Sequence, residues 1–280
     1  MMIKCWGARG SIAVSGNEYV KYGGDTTCIE IRSKNNEIII VDAGTGIRKL
    51  GNELVHEPGK IINLIFTHAH WDHLLGFPFF KPIYIGGITL KMFGCPFAQQ
   101  SIKDLLSQSM SPPYFPVKWE DLSANITYEG LCDRTFMIDT IQISPIRLSH
   151  PKQGIGNKFT EDGRSFVFLT DNELSYSHPG SSRVYDYIDF CAGADLLIHD
   201  AEYTREEYTS TRSWGHSTYE DAMKLALHAR VKQLGLFHHN QDRSDDNLDE
   251  IVNDCESIKA SAKSDLTIFA VSAGMEITLG

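Results

Sequence analysis

The chain of 280 residues lacks the cysteine pairs of a zinc ribbon and the long apolar run of a membrane helix. Its six cysteines are scattered without a CxxC pair, which indicates reduced, mostly structural thiols rather than a disulfide framework. No apolar stretch approaches the ~20 residues that a membrane-spanning helix needs, and the N-terminus lacks the apolar core of a signal peptide. We therefore expect a cytoplasmic protein without a membrane partner.

Basic residues are also scarce. The chain has 26 Lys and Arg against 36 Asp and Glu, a formal net charge of −10, and no Lys/Arg cluster. Proteins that bind nucleic acid usually present a basic face, so a long polynucleotide is an unfavourable partner. Internal repeats, low-complexity segments and Gly/Ser or Pro linkers are lacking as well. We expect a single domain over residues 1–280.

Histidines, by contrast, are concentrated in residues 67–73, which read THAHWDH. This segment follows a short apolar run that predicts a buried strand. In an extended chain, residues two apart point to one side, so His68, His70 and Asp72 can converge. His73 needs a turn to join them. Histidine and carboxylate ligands suit zinc, iron or manganese, and the segment therefore predicts a metal site.

The hydrophobic pattern predicts alternating strands and helices. The predicted strands are Met2–Trp6, Thr27–Arg32, Glu37–Asp42, Ile61–Thr67, Thr89–Phe93, Ile141–Leu148, Ser165–Thr170, Leu196–His199, Gln233–Phe237, Leu266–Val271 and Glu276–Leu279. The predicted helices are Ile47–Leu54, Pro96–Ser107, Thr218–Ala229 and Leu248–Ala260. This mixture indicates the α/β class, in which helices cover sheets.

Five of the apolar strands end in histidine or aspartate. Besides the histidine cluster, the residues at or just after these strand ends are His150, Asp171, His199, Asp200, His238 and His239. In open α/β sheets, ligands bind in the crevice beyond the carboxyl ends of the strands. A crevice that collects these groups would hold two metal ions.

In this order, the motifs resemble those of the metallo-β-lactamase superfamily, whose HxHxDH signature matches residues 68–73. The resemblance covers nearly the whole chain and implies an αββα four-layer sandwich. It also implies two divalent metal ions, with zinc expected and manganese or iron as alternatives. The implied ligands are His68, His70 and His150 for one ion, Asp72, His73 and a closing histidine for the other, and Asp171 as the bridge.

The closing ligand is open between His238 and His239. The family spacing favours His238, because one residue separates it from the apolar Leu236. His239 then becomes an orienting or substrate-side group. Asp42 is the other candidate for orienting a ligand histidine.

A second motif, WGHST at residues 214–218, resembles the His-Ser-Thr motif of the ribonuclease Z-like phosphodiesterase branch. The resemblance implies that His216 donates a proton to the leaving oxygen and that Asp200 orients its ring. Asp72 completes the implied catalytic set. The alternative for His216 is a surface residue that caps a helix. The expected reaction is hydrolysis of a phosphodiester by a hydroxide that bridges the two metals.

The expected substrate is a small cyclic nucleotide or another cyclic phosphate, because the chain is acidic and shows no counterpart of the tRNA-clamping arm of ribonuclease Z. The alternative is a tRNA 3′-processing endonuclease like ribonuclease Z. An alternative of another class is a metal-stabilised nucleotide-binding protein without turnover. Thioester and β-lactam hydrolases share the ligands but do not need the acid, and flavodiiron enzymes usually carry Glu where His70 stands. A homodimer would fit the related enzymes.

Aromatic residues near the expected opening of the crevice either stack on a base or pack in the core. Packing in the core is the more common role of such side chains. They are Trp71, Phe77, Phe79, Tyr114 and Phe115.

Overall fold

The computed structural model describes residues 1–57, 61–95 and 102–280. The strands are β1 (Met2–Gly7), β2 (Cys28–Arg32), β3 (Ile38–Val41), β4 (Ile61–Ile65), β5 (Thr89–Gly94), β6 (Asn125–Gly130), β7 (Phe136–Ile138), β8 (Ile141–Leu148), β9 (Gly154–Glu161), β10 (Arg164–Leu169), β11 (Leu196–Asp200), β12 (Gln233–Phe237), β13 (Thr267–Ala270) and β14 (Glu276–Thr278). The α-helices are α1 (Ile47–Leu54), α2 (Trp71–Leu74), α3 (Ile102–Ser109), α4 (Val184–Cys191), α5 (Arg205–Thr211), α6 (Tyr219–Ala229) and α7 (Asp245–Ala262). Short 3-10 helices cover Asn17–Tyr19, Phe77–Phe79, Lys81–Tyr84 and Trp119–Asp121.

Within the described residues, the strands form two mixed sheets of seven strands each. Their orders are β14-β1-β2-β3-β4-β5-β6 and β13-β12-β11-β10-β9-β8-β7. Strands β3 to β6 run parallel in the first sheet, and β10 to β13 run parallel in the second. The parallel stretches bring the carboxyl ends of β10, β11 and β12 to one edge, which is where a crevice for ligands forms.

Three hydrophobic clusters define the layers. In β3, Ile39 and Val41 belong to the cluster between the sheets, whereas Ile38 and Ile40 pack outward with residues of α1. Alternate side chains point to opposite faces of a strand, so this strand is apolar throughout because both its faces are covered. The second sheet packs outward against α4, α6 and α7. The four-layer αββα prediction is therefore confirmed.

The predicted elements are found close to their expected bounds, with some omissions. The sequence pattern does not predict strands β6, β7 and β9 or helices α4 and α5. Strand β9 contains Gly, Asn and Lys, which have low strand propensity, yet it pairs with both β8 and β10. Tertiary pairing therefore determines this strand. Of the predicted helix Pro96–Ser107, the structure describes α3, and residues 96–101 lie outside the described residues.

The prediction of reduced cysteines is wrong for one pair. Cys95 and Cys132 form a disulfide, while Cys5, Cys28, Cys191 and Cys255 are free and buried. The parallel register of β5 and β6, in which Gly94 is opposite Gly130, brings the two cysteines together across 37 positions. No local spacing indicates such a contact.

No helix in the described ranges is long and apolar enough to cross a membrane.

Candidate metal centre

Side chains from the ends of β4, β8, β10 and β12 meet in one crevice between the two sheets. They form two sets of four, and within each set the candidate ligand atoms lie within 4.8 Å of one another. The sets are His68, His70, His150 and Asp171, and Asp72, His73, Asp171 and His238. Asp171 belongs to both. The structure thus brings together all seven residues that the sequence singled out as ligands.

The turn that His73 needs is provided by helix α2, a single turn that starts at Trp71. His70 precedes it in an extended conformation, so the chain changes from strand-like to helical spacing within the motif. As a result, His73 Nε2 lies 3.3 Å from a carboxylate oxygen of Asp72 and 3.3 Å from one of Asp171. Within the motif, His68 and His70 therefore belong to the first set, and Asp72 and His73 belong to the second.

The distances in both sets are short enough for shared ions. His238 Nε2 lies 3.2 Å from Asp72 Oδ2 and 3.3 Å from Asp171 Oδ2. In the other set, His70 Nδ1 and His150 Nε2 are 3.0 Å apart. Nitrogens and carboxylate oxygens in such an arrangement are typical ligands of zinc and related divalent ions.

Unpartnered buried atoms test whether the residues fit a metal. The Nε2 atoms of His68 and His73 are buried and make no well-aligned hydrogen bond among the described residues, although carboxylate oxygens lie 3.3–3.5 Å away. A buried polar atom in that state is costly. The opposite ring nitrogens are held, because His73 Nδ1 donates to Asp42 at 2.8 Å and His150 Nδ1 donates to the carbonyl of Gly215 at 3.0 Å. Such contacts fix the tautomer of a metal-binding histidine, so the residues fit two divalent ions.

The electrostatics of the crevice favour cations. Burial lowers the pKa of His150 to about 3 and that of His68 well below its usual value, which keeps both rings neutral, the form that binds metal. Burial alone would raise the pKa of Asp171, but His238 and His73 outweigh it and lower that pKa well below its usual value. The carboxylate shared by both sets is therefore ionised.

Asp42 lies where the sequence analysis placed an orienting residue. Its carboxylate is fully buried and accepts hydrogen bonds from the backbone N–H of Thr67 at 2.8 Å and from the Thr67 hydroxyl at 2.7 Å, besides that from His73. Three donors fix the carboxylate, which in turn fixes the His73 ring.

The two closing histidines point in different directions. His238 faces the crevice, and its Nδ1 donates to Glu202 at 3.0 Å. His239 Nε2 donates instead to the carbonyl of Val271 at 2.8 Å, and its ring packs edge-on against Tyr22. The chain bends at His238, whose φ is +57°, and the His239 ring therefore lies away from both ligand sets instead of beside them.

His216 lies at the rim of the second set. Its Nδ1 donates to Asp200 Oδ2 at 2.7 Å, and its ring stacks on His238 with centroids 4.6 Å apart. Burial alone would lower the pKa of His216, but Glu202 and Asp200 outweigh it and raise the pKa to about 9. The cap of α6 is Thr218 rather than His216, so the capping alternative is wrong.

Asp200, His216 and His238 form a third group with ligand-like spacing. The carboxylate of Asp200, however, also accepts the backbone N–H of Glu202 at 3.1 Å and of Asn172 at 3.3 Å. Its lone pairs are occupied by N–H donors, which suits an orienting carboxylate better than a third metal ligand.

Two buried glutamates were missed by the sequence analysis. Glu202 contacts His238 and lies 3.4 Å from His216 Nδ1, and Glu173 accepts the backbone N–H of Gly215 at 2.8 Å. Each lies two positions after a strand-end aspartate, Asp200 or Asp171. Asp171 has a φ of +52°, so the chain is not extended there and the spacing alone does not identify Glu173; contacts with loops distant in sequence define both glutamates.

Comparison with known proteins agrees with this geometry. The family model of the beta-lactamase superfamily domain matches residues 37–239. The chain belongs to this superfamily. Within the curated proteins, a ribonuclease Z from Picrophilus torridus is 26% identical over 265 residues, which cover 80% of this chain and 82% of the relative.

Solved structures show the same fold. The metallo-β-lactamase fold protein YhfI from Bacillus subtilis is similar with a TM-score of 0.70 at 18% identity, covering 99% of this chain and 98% of that one. Unliganded yeast PDE1 is similar with a TM-score of 0.71 at 14% identity, covering 99% of each chain. The chain is thus a metallo-β-lactamase-fold hydrolase, a fold that implies divalent metal ions, and its two His/Asp sets fit them.

Proposed function

We propose that this hydrolase cleaves phosphodiesters and that His216 protonates the leaving oxygen. The observation that carries the proposal is the position of the His216 ring, which is held by Asp200 at 2.7 Å and stacked on the candidate ligand His238. Thioester and β-lactam hydrolysis does not need an acid at this place, whereas an alkoxide leaving group does.

In this proposal, two divalent ions occupy the crevice, with zinc as the first choice and manganese or iron as alternatives. Asp171 contributes to both sites. When bound, the ions make water a stronger nucleophile at neutral pH and offset the negative charge of the phosphoryl group. The residues that hold them are His68, His70 and His150 for one ion and Asp72, His73 and His238 for the other.

The proton transfer is the step assigned to His216. Its Nδ1 is engaged by Asp200, so Nε2 is the atom that carries the transferred proton. Water loses a proton to the solvent and its oxygen bonds to phosphorus, the bond from phosphorus to the leaving oxygen breaks, and the Nε2 proton moves to that oxygen. The ring then regains a proton from solvent. Asp200 keeps the ring in place and stabilises its protonated form.

The preferred substrate is a small diester such as a cyclic nucleotide. The formal net charge of −10 opposes long-range attraction of a polynucleotide, whose binding depends largely on Lys and Arg contacts to phosphates. A diester with a single phosphate is repelled less and needs only the ions and a few polar groups.

A second candidate is tRNA 3′-end processing. The similarity to ribonuclease Z of Picrophilus torridus over 80% of this chain favours it. This candidate and the preferred one share the metal sets and the acid, and they differ only in what the remaining surface binds.

A substrate screen tests the proposal. The protein is stripped of metal, reloaded with zinc or manganese, and assayed with bis(p-nitrophenyl) phosphate, 2′,3′- and 3′,5′-cyclic nucleotides, a precursor tRNA, a thioester and a cephalosporin. Hydrolysis of the diesters is expected. Cleavage of only the thioester or the cephalosporin would contradict it, and tight nucleotide binding without product would favour the non-catalytic alternative. Preference for precursor tRNA would select the second candidate.

A further inference from the structure

A cavity of about 390 Å³ opens beside His216. Ser11 lines one part of it, and the backbone N–H of Ser11 donates to Asp72 Oδ2 at 3.0 Å. His216 and Trp214 also line it. The cavity therefore adjoins both the metal centre and the proposed acid, and its volume falls in the range of about 300–1,000 Å³ that is usual for small-molecule sites.

Trp214 presents its indole to this space from a fixed loop. The side chain is 61% exposed, although burial of an indole would be strongly favourable. Its neighbours Ser213 and Gly215 both donate their backbone N–H to the carboxylate of Glu173, at 2.7 and 2.8 Å. An exposed aromatic ring on a fixed loop is a platform on which a nucleobase can stack.

The cavity also contains an unused hydrogen-bond acceptor. Gln241 lines it, and the side-chain oxygen of Gln241 is buried without a partner within the described part of the chain. The amide nitrogen donates to the exposed carboxylate of the next residue, Asp242, at 3.2 Å, a contact that leaves the amide able to rotate. The buried oxygen reaches the cavity when the amide rotates, and it then accepts from an N–H or O–H group of a ligand.

Charge limits what the cavity can hold. Among the described residues that line it, Glu202, Glu207 and Asp242 are acidic, and none is Lys or Arg. Glu207 is paired with Arg243 at 2.6 Å, but Asp242 is exposed. A second phosphate would meet carboxylates and no cation, whereas an uncharged group would not be repelled.

We propose that this cavity binds the uncharged nucleoside part of the diester, the part that carries the leaving oxygen, with its base stacked on Trp214 and a donor group near Gln241. The inference rests on the proposed function, since the side next to His216 is the side from which the leaving oxygen departs. It selects diesters with one phosphate, because the leaving part of a polynucleotide carries further phosphates.

A second exposed aromatic residue offers a matched comparison. Tyr185 is 79% exposed on α4 and does not line the cavity. For 2′,3′-cyclic AMP, Trp214→Ala is expected to raise KM about ten-fold, as loss of one stacking contact predicts, with kcat changed less. Trp214→Phe restores most of the affinity, and Tyr185→Ala stays within about two-fold of the wild type.

A binding experiment without turnover tests the nucleoside cavity separately from the proposed hydrolysis of diesters. Adenosine added to the metal-loaded protein is expected to quench tryptophan fluorescence, and the quench is lost in Trp214→Phe but kept in Trp71→Phe. Hydrolysis of cyclic AMP with unchanged KM in Trp214→Ala and an unchanged quench in Trp214→Phe overturns the cavity assignment alone. A Trp214-dependent quench in a protein that cleaves no diester supports a nucleoside site and overturns the proposed function and the leaving-group role together.

Discussion

The carboxylate of Glu173 accepts the backbone N–H of Gly215 at 2.8 Å, and the carbonyl of Gly215 accepts the Nδ1–H of His150 at 3.0 Å. Gly215 thus connects the fully buried carboxylate of Glu173 to the candidate metal ligand His150. The other donors to this carboxylate are the backbone N–H of Ser213, the hydroxyl of Tyr208 and Nε2 of His178. Glu173 therefore holds the loop that carries both Trp214 and His216.

Glu173→Gln tests this positioning role. Glutamine keeps the shape but replaces one acceptor oxygen by an NH₂ group, which then faces an N–H donor. We expect kcat to fall about 10–100-fold, the usual loss when a residue that orients a metal ligand is changed, together with a lower affinity for metal. Steady-state kinetics and metal titration measure the two effects.

Tyr208→Phe is the matched control, because it removes one donor to the same carboxylate and leaves the contacts to Ser213 and Gly215 in place. Its kcat should stay within a few-fold of the wild type. If Glu173→Gln lowered only the melting temperature and left kcat and metal affinity unchanged, Glu173 would have a purely structural role.

Gly215 provides a second test of the same loop. It has φ of +102°, and an added Cβ would overlap Nδ1 of His150. Gly163 has φ of +78°, but its added Cβ would meet nothing within 4 Å in the described ranges. Alanine at either position costs about 1–2 kcal/mol of backbone strain, so only Gly215→Ala should also weaken metal binding. Thermal unfolding and metal titration of the two variants separate these effects, and equal metal affinity would show that the loop can shift away from His150.

The ligand set could be predicted largely from the sequence, because its signals are local. His68 and His70 follow the two-residue period of an extended chain, and the helical turn that starts at Trp71 places Asp72 and His73 in the second set. His150 was indicated by its place at the end of an apolar strand, since strand ends meet at the ligand-binding edge of such sheets.

The supporting residues could not be predicted in the same way. Glu173 and Glu202 are two of 36 acidic residues, and what distinguishes them is a loop that folds onto each from 40 or so positions away. The Cys95–Cys132 disulfide likewise depends on the β5–β6 register. Contacts of this kind are set by tertiary packing, for which a single sequence carries no periodic signal.

Asp171 belongs to both ligand sets, which predicts how metal content depends on it. The wild type should bind two ions per chain. His150→Ala and His238→Ala should each lose mainly one of these ions. Asp171→Asn should weaken the binding of both ions. Metal analysis after gel filtration gives the stoichiometry. Because an ion at about 1,000 times its Kd adds about 4 kcal/mol of stability, chelation should lower the melting temperature of the wild type by more than that of Asp171→Asn. Two tightly held ions in Asp171→Asn would contradict the shared role.

A comparison of two leaving groups tests whether His216 acts as an acid. An alkoxide needs a proton to depart, so His216→Ala should lower kcat on a cyclic nucleotide by about 10²–10⁴-fold, the usual contribution of general acid catalysis. p-Nitrophenolate departs without a proton, so the same variant should retain most of its activity on bis(p-nitrophenyl) phosphate. Asp200→Asn, which keeps the ring but removes its charged partner, should show the same selectivity with a smaller loss. An equal loss on both substrates would mean that His216 acts through its stacking on His238 and not through its proton.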